Sequence, residues 1–310
     1  MTPSSSVLLL TTLTGFGYGL LAWVGVLAAF GLLPPARLFL PVAVVVALAF
    51  ANAGLTASMA HLGHPERAWR AFSQWRSSWL SREGVASLAT SPPALAFAAL
   101  WWALGPDAVA ARVLGLLAAA LGLVTVGCTA MIYASLKPIR QWHNPHTAPD
   151  YMIFAVFSGA VLLAALWALW FGAAEGLAVA ALIASLIAAC AKFIYWRYID
   201  TQRPLVTLAS AIGLTAFGTA RPLDGPHFTE NYILREMGYQ IARKHAAKLR
   251  RIAIGLAFLV PAILTLLAAF GVVPAITATA AALVALVGLL VERWLFFAEA
   301  THVSTIYYGR

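Results

Sequence analysis

His61-Leu-Gly-His-Pro-Glu-Arg-Ala-Trp-Arg-Ala-Phe-Ser-Gln-Trp-Arg-Ser-Ser-Trp-Leu-Ser-Arg-Glu83-Gly84 separates two long apolar runs and holds two histidines, four arginines, two glutamates and three tryptophans. The sequence on either side is mostly Ala, Leu and Val. Chains that cross a bilayer put Trp and Arg at the water boundary, where an amphipathic ring and a hydrated cation are both well solvated. The stretch therefore reads as a membrane-edge hairpin between two spans. Its end residues, His61 and Glu83, stand where polar chemistry can be done beside an apolar medium.

Composition carries the same reading to the whole chain. Of 310 residues, 62% are hydrophobic and only 10% charged, whereas a soluble domain has roughly a quarter charged. So few polar side chains cannot wet a surface, and lipid must be the main solvent. The net charge of +9 is not a nucleic-acid signal, because the basic residues lie in short loops outside the apolar runs. The opening Met-Thr-Pro-Ser-Ser-Ser has neither a basic region nor a small-residue cleavage site, so the first apolar run is expected to remain as a span. Cys128 and Cys190 lie far apart inside apolar runs. They form no CxxC pair and read as small buried hydrophobes.

Windows of about 20 apolar residues, enough to cross the hydrocarbon core, occur at 7–32, 38–60, 84–104, 113–135, 151–172, 177–199, 252–271 and 275–297. Connections one, three, five and seven are short and nearly free of basic residues, while two, four and six are longer and basic. The expected fold is an all-α polytopic membrane protein of eight transmembrane helices in antiparallel hairpins, one membrane domain over 1–310. Eighteen of the twenty Lys and Arg fall on the side of the termini, with only Arg37 and Arg112 opposite. Basic residues are retained in the cytoplasm, so both termini and the large loops are expected there, in a bacterial inner membrane. The sixth connection, 200–251, is a long basic cytoplasmic loop. Its apolar stretch near 205–218 is too short for a ninth span, and Ile233, Met237 and Ile241 recur at helical spacing before a basic cluster. Such a helix suits either anionic headgroups or a cytoplasmic partner.

Four blocks now resemble a known family: His61-Leu-Gly-His-Pro-Glu-Arg-Ala-Trp69, Ser78-Trp-Leu-Ser-Arg-Glu-Gly84, Met131-Ile-Tyr-Ala-Ser-Leu-Lys-Pro-Ile-Arg-Gln-Trp-His-Asn144 and Glu292-Arg-Trp-Leu-Phe-Phe-Ala-Glu-Ala-Thr-His302. They are similar to the dimethyl sulfoxide reductase anchor-subunit family, and the likeness runs through all eight spans. It implies the membrane subunit of a three-part complex, on which a molybdopterin catalytic subunit and an iron–sulfur electron-transfer subunit dock. It implies electron exchange with quinone (ubiquinone or menaquinone), with molybdopterin and iron–sulfur clusters held only by the partners. It also implies that His61 and Glu83 occupy the positions concerned with quinol binding.

Quinone chemistry moves two electrons and two protons, so the site needs an apolar slot, hydrogen-bonding groups at the carbonyls and a proton path. His titrates near neutrality, and a carboxylate at a membrane edge suits proton exchange. The plainer alternative is a His at a helix end and a Glu neutralising Arg82. Arg67, Trp79, Tyr133, Lys137 and Arg140 are further candidates to contact quinone, although Arg67 and its neighbours serve first as topology signals and headgroup contacts and Trp79 most simply as a belt residue. Trp142 and His143 lie beside them. Glu292 and Arg293 are adjacent, so they are expected to point apart and to suit an interhelical ion pair. Charge is expected to stay out of the middle of the spans. Thr14-Gly-Phe-Gly-Tyr-Gly19 lies within a span and reads as close helix packing. All seven histidines fall in loops or at helix ends, so neither haem nor another metal is expected.

Three functions follow from different classes. The first is a quinone-reactive anchor, with sulfite dehydrogenase (quinone) ahead of a sulfoxide or N-oxide reductase. The second is a secondary transporter, which usually carries ionisable residues at the bilayer midplane. The third is a tether with no redox role.

Overall fold

A computed structural model describes residues 4–60, 62–202, 206–224 and 241–308. Among the described residues, eight helices are long and apolar enough to cross a bilayer. The first six are α1 (Ser5–Ala29), α2 (Phe39–Met59), α3 (Trp79–Leu104), α4 (Val109–Ala134), α5 (Thr147–Phe171) and α6 (Glu175–Thr201). A four-residue helix, α7 (Leu208–Ala211), follows. The seventh span, His245–Ala269, comprises the end of α8 (Ile241–Ile254), a π-helical turn Gly255–Leu259 and α9 (Val260–Ala269). The eighth is α10 (Pro274–Ala298). Among the described residues there is no strand, only an isolated bridge between Ile139 and His302. Lipid offers no partner for a bare N–H or C=O, and helices satisfy those groups internally.

Helices α1 and α5 are the most enclosed, and glycines in α1 permit this. A Cβ added to Gly17 would lie 2.4 Å from the carbonyl oxygen of Ala47 in α2, and one on Gly19 would lie 1.9 Å from that of Ala155 in α5. Gly25 meets Gly115 of α4 in the same way, at 2.3 Å from its carbonyl oxygen. Small residues let backbones approach where lipid supplies no hydrophobic drive to press helices together. The glycine-rich run of the first span is thus a packing device.

The π turn has a local cause. Pro261 has no N–H and its ring would crowd the carbonyl four residues back, and widening the preceding turn relieves that conflict. The Ser185 hydroxyl of α6 donates to the Phe258 carbonyl at 2.7 Å, supplying a partner inside the widened turn.

The chain ends of α4, α6 and α10 meet the start of α5. Trp142 Nε1 donates to the Phe296 carbonyl at 2.9 Å, and Gln141 Nε2 donates to Thr301 Oγ1 at 2.7 Å. Tyr195 donates to the Gln141 carbonyl at 2.9 Å. Rings of Tyr133, Trp142, Tyr151, Phe296 and Phe297 pack together beneath these bonds. Edge and offset contacts of this kind hold a junction more specifically than aliphatic packing.

The apolar stretch after α6 forms only α7 and a 3-10 turn, Thr215–Phe217, and is largely exposed. The amphipathic segment begins in residues 225–240, outside the described residues, and continues as α8.

Candidate functional site

Helix α3 starts at Trp79, five residues ahead of the apolar window at 84. Ser78 caps it, its hydroxyl accepting from the Ser81 N–H at 3.4 Å. This local cap lets Ser81, Arg82 and Glu83 join the helix although none is apolar. Glu83 therefore sits in the second turn of α3, and it is only 3% exposed.

A 3-10 helix, Pro65–Gln74, lies over this end of α3. Ser81 Oγ donates to the Ala71 carbonyl. Gly84 allows close contact with Phe72, since a Cβ there would stand 2.7 Å from the ring. Beneath, Thr129 Oγ1 of α4 donates to Glu83 Oε1 at 2.5 Å, and Tyr18 of α1 lies within electrostatic range of the carboxylate. Arg82 does not take up the charge of Glu83. Its Nε and Nη2 donate to the Trp75 and Arg76 carbonyls at 3.0 and 2.7 Å, and its guanidinium lies 4.2 Å from the Trp79 ring centroid.

The sequence candidates fall into separate groups. His61 lies outside the described residues. Trp79 is half-buried above Glu83. Arg67 is exposed, its Nε 3.7 Å from Glu66 Oε1. Tyr133 is buried in the aromatic junction. Lys137 and Arg140 line a different cavity, of about 610 Å³, walled by Ile199, Val206, Val303 and Ile306. Arg140 donates to Gln202 Oε1 there at 2.9 Å. His143 Nδ1 is 2.6 Å from the Ala134 carbonyl oxygen at the end of α4.

Three expectations need correcting, the first being that Cys190, expected as a small buried hydrophobe, is exposed on α6, while Cys128 is buried. Glu292 and Arg293 do pair with each other: Arg293 Nε lies 2.5 Å from Glu292 Oε2. Lys192 of α6 lies 2.5 Å from the other oxygen, Oε1. Neighbouring side chains diverge at Cβ, but a long guanidinium can fold back, and in an apolar interior each charge must find its opposite. Charge also does not keep to the span ends, because Lys192 is 0% exposed well inside α6. Asp150 of α5 is buried within electrostatic range of Lys192, Glu292 and Arg293. Two cations and two carboxylates thus form a compensated cluster. Its sequence signal was opposite charges interrupting two apolar runs near the same end of the bundle.

The chain matches the family described as DMSO reductase anchor subunit (DmsC) over residues 3–299. It belongs to that family. The anchor subunit is 33% identical to the C subunit of the sulfite dehydrogenase of Allochromatium vinosum over 329 aligned positions, 99% of each chain. It is also 30% identical to the anaerobic dimethyl sulfoxide reductase chain YnfH of Escherichia coli over 117 residues, 36% of this chain and 39% of that one. The protein is therefore a multi-pass membrane subunit of an oxidoreductase complex, and the polar groups just described belong to an anchor.

Proposed function

We propose that this anchor subunit exchanges electrons between an iron–sulfur subunit and the quinone pool, with His61 and Glu83 as the proton-exchanging pair. The observation that carries this reading is Glu83: a buried carboxylate at the head of α3, bonded to one hydroxyl and left unpaired by the adjacent arginine. A carboxylate with no counter-ion among the described residues, in an apolar setting, is suited to gaining and losing a proton. Quinone supplies the two-electron, two-proton couple. Glu83 accepts or returns a proton, Thr129 holds its carboxyl in one orientation, and the 65–74 helix keeps bulk water from that end of α3.

The complex so read has both termini, and the ends of α4, α6 and α10, on the cytoplasmic side of a bacterial inner membrane. The basic residues at that end support the orientation. An iron–sulfur subunit and a molybdopterin subunit dock there, so electrons need not cross the bilayer. The similarity to a sulfite dehydrogenase subunit along the full chain favours sulfite oxidation, with electrons passed to quinone. Reduction of a sulfoxide or N-oxide at the expense of quinol is the alternative.

Glu83→Gln and His61→Ala, made in the whole complex, test the reading. Quinone-linked turnover is expected to fall by roughly a hundredfold or more. Assembly and substrate turnover with an artificial dye should persist. Normal quinone-linked turnover in both variants would refute it. A second location has one observation in its favour, namely that the 610 Å³ cavity beside Lys137 and Arg140 matches the size of a small-molecule pocket. Loss of quinone turnover in Lys137→Met with Glu83→Gln unaffected would favour that location.

A further inference from the structure

The cavity of about 610 Å³ beside Lys137 and Arg140 combines two unlike surfaces. Ile199, Val206, Val303 and Ile306 give it apolar walls, while Lys137 and Arg140 bring two positive charges. No Asp or Glu is among the described residues that line it. Lys137 is exposed, and no ion pair among the described residues includes it. Arg140 is fixed in the wall by its 2.9 Å bond to Gln202. His302 lines the cavity too, and its Nδ1 accepts from the Ser304 N–H at 3.2 Å. The neutral ring therefore carries its proton on Nε2, as a third donor.

The cavity stands at the head of a stripe on α6. Ile183, Ile187, Cys190 and Ile194 recur at three- and four-residue steps, and the next members of the series, Tyr198 and Gln202, line the cavity. The three isoleucines are 51, 51 and 53% exposed, and α6 is the least enclosed of the eight spans. Hydrocarbon covers such a surface in a bilayer. A small soluble anion would use the cations and leave the apolar walls wet. A neutral apolar molecule would leave the cations unused. An anionic amphiphile uses both and continues down the stripe.

We propose that this cavity binds one anionic phospholipid, with its phosphodiester held by Lys137 and Arg140 and an acyl chain lying along the 183–194 stripe of α6. Basic pockets between helices at a membrane face recognise anionic headgroups in this way. The volume falls within the roughly 300–1,000 Å³ of ligand sites. The lipid touches the α4–α5 connection, the end of α6 and the segment after α10 at once, and so bridges three parts of the aromatic junction. The site does not rest on the quinone reading, which places that chemistry at Glu83.

The test uses the whole complex, delipidated in detergent and titrated with dioleoylphosphatidylglycerol or dioleoylphosphatidylcholine, with bound lipid counted by native mass spectrometry. One phosphatidylglycerol is expected to bind about twentyfold more tightly than phosphatidylcholine, with about fivefold lost in each of Lys137→Met and Arg140→Met. Lys137→Arg should restore retention. Arg197→Met, exposed on the same helix end but outside the cavity lining, should leave it unchanged. Excess inorganic phosphate, which has the charge without the chains, should not displace the lipid, and neither should decylubiquinone. Equal retention of the two lipids would overturn the proposal, as would a loss in Arg197→Met matching that in Lys137→Met. Displacement by phosphate would make the cavity a plain anion site, and displacement by decylubiquinone a quinone site; either result also overturns it. Should Arg140→Met fail to assemble, the exposed Lys137 variants decide the matter.

Discussion

Replacing Glu292 with Gln removes the one carboxylate that touches both buried cations of the core cluster. In the native protein its oxygens lie 2.5 Å from Lys192 Nζ and 2.5 Å from Arg293 Nε, and none of the three side chains is more than 4% exposed. Removing one partner of a buried ion pair typically costs about 3–5 kcal/mol, because the remaining charge is left uncompensated. Two cations lose their partner at once, so Glu292→Gln is expected at the upper end of that range, about three and a half decades in the folding equilibrium. Lys192→Met leaves Glu292 bonded to Arg293 and orphans a single oxygen, for about 1–3 kcal/mol. The double variant should be more stable than Glu292→Gln alone, since it deletes one orphaned cation. Unfolding by sodium dodecyl sulfate in mixed micelles, followed by helical circular dichroism, orders the three. Glu292→Gln within about 1 kcal/mol of wild type, or no less stable than Lys192→Met, would refute the view that one carboxylate neutralises both cations.

Other perturbations address packing and topology. Gly19→Ala places a methyl 1.9 Å from the Ala155 carbonyl oxygen and should cost about 1–3 kcal/mol or more, whereas Gly127→Ala, with nothing within 4 Å, should be neutral or slightly stabilising in the same titration. Ser185→Ala removes the 2.7 Å bond to the Phe258 carbonyl and is expected to cost about 1 kcal/mol; no loss would mean that the π turn needs no outside partner. Trp142→Phe keeps a ring in the junction but loses the bond to the Phe296 carbonyl, with a similar expected cost of about 1 kcal/mol. Reporter fusions after Leu104 and Gly172 should behave as periplasmic and fusions after His143 and Arg310 as cytoplasmic, and a periplasmic carboxy terminus would overturn the proposed orientation.

Much was legible in the sequence because hydropathy is local and additive. Eight apolar runs declare eight spans without reference to one another, and the family blocks, Ser78 to Gly84 and Glu292 to His302 among them, are contiguous strings. Glu83 could be singled out as a carboxylate at the end of such a run. What it meets could not, because Thr129 lies 46 residues away on another helix, and which helices become neighbours depends on where small residues such as Gly19 and Gly159 let backbones close up. The start of α3 at Trp79 was hidden for a related reason, since a cap and an overlying segment stabilise residues that an apolar window rejects. The buried cluster was the least visible. The sequence suits Glu292 and Arg293 to an interhelical ion pair without naming a partner, and the energy that makes them a unit with Lys192 exists only when the packed bundle withdraws all three from water and leaves them one another and Asp150 as the charges within reach.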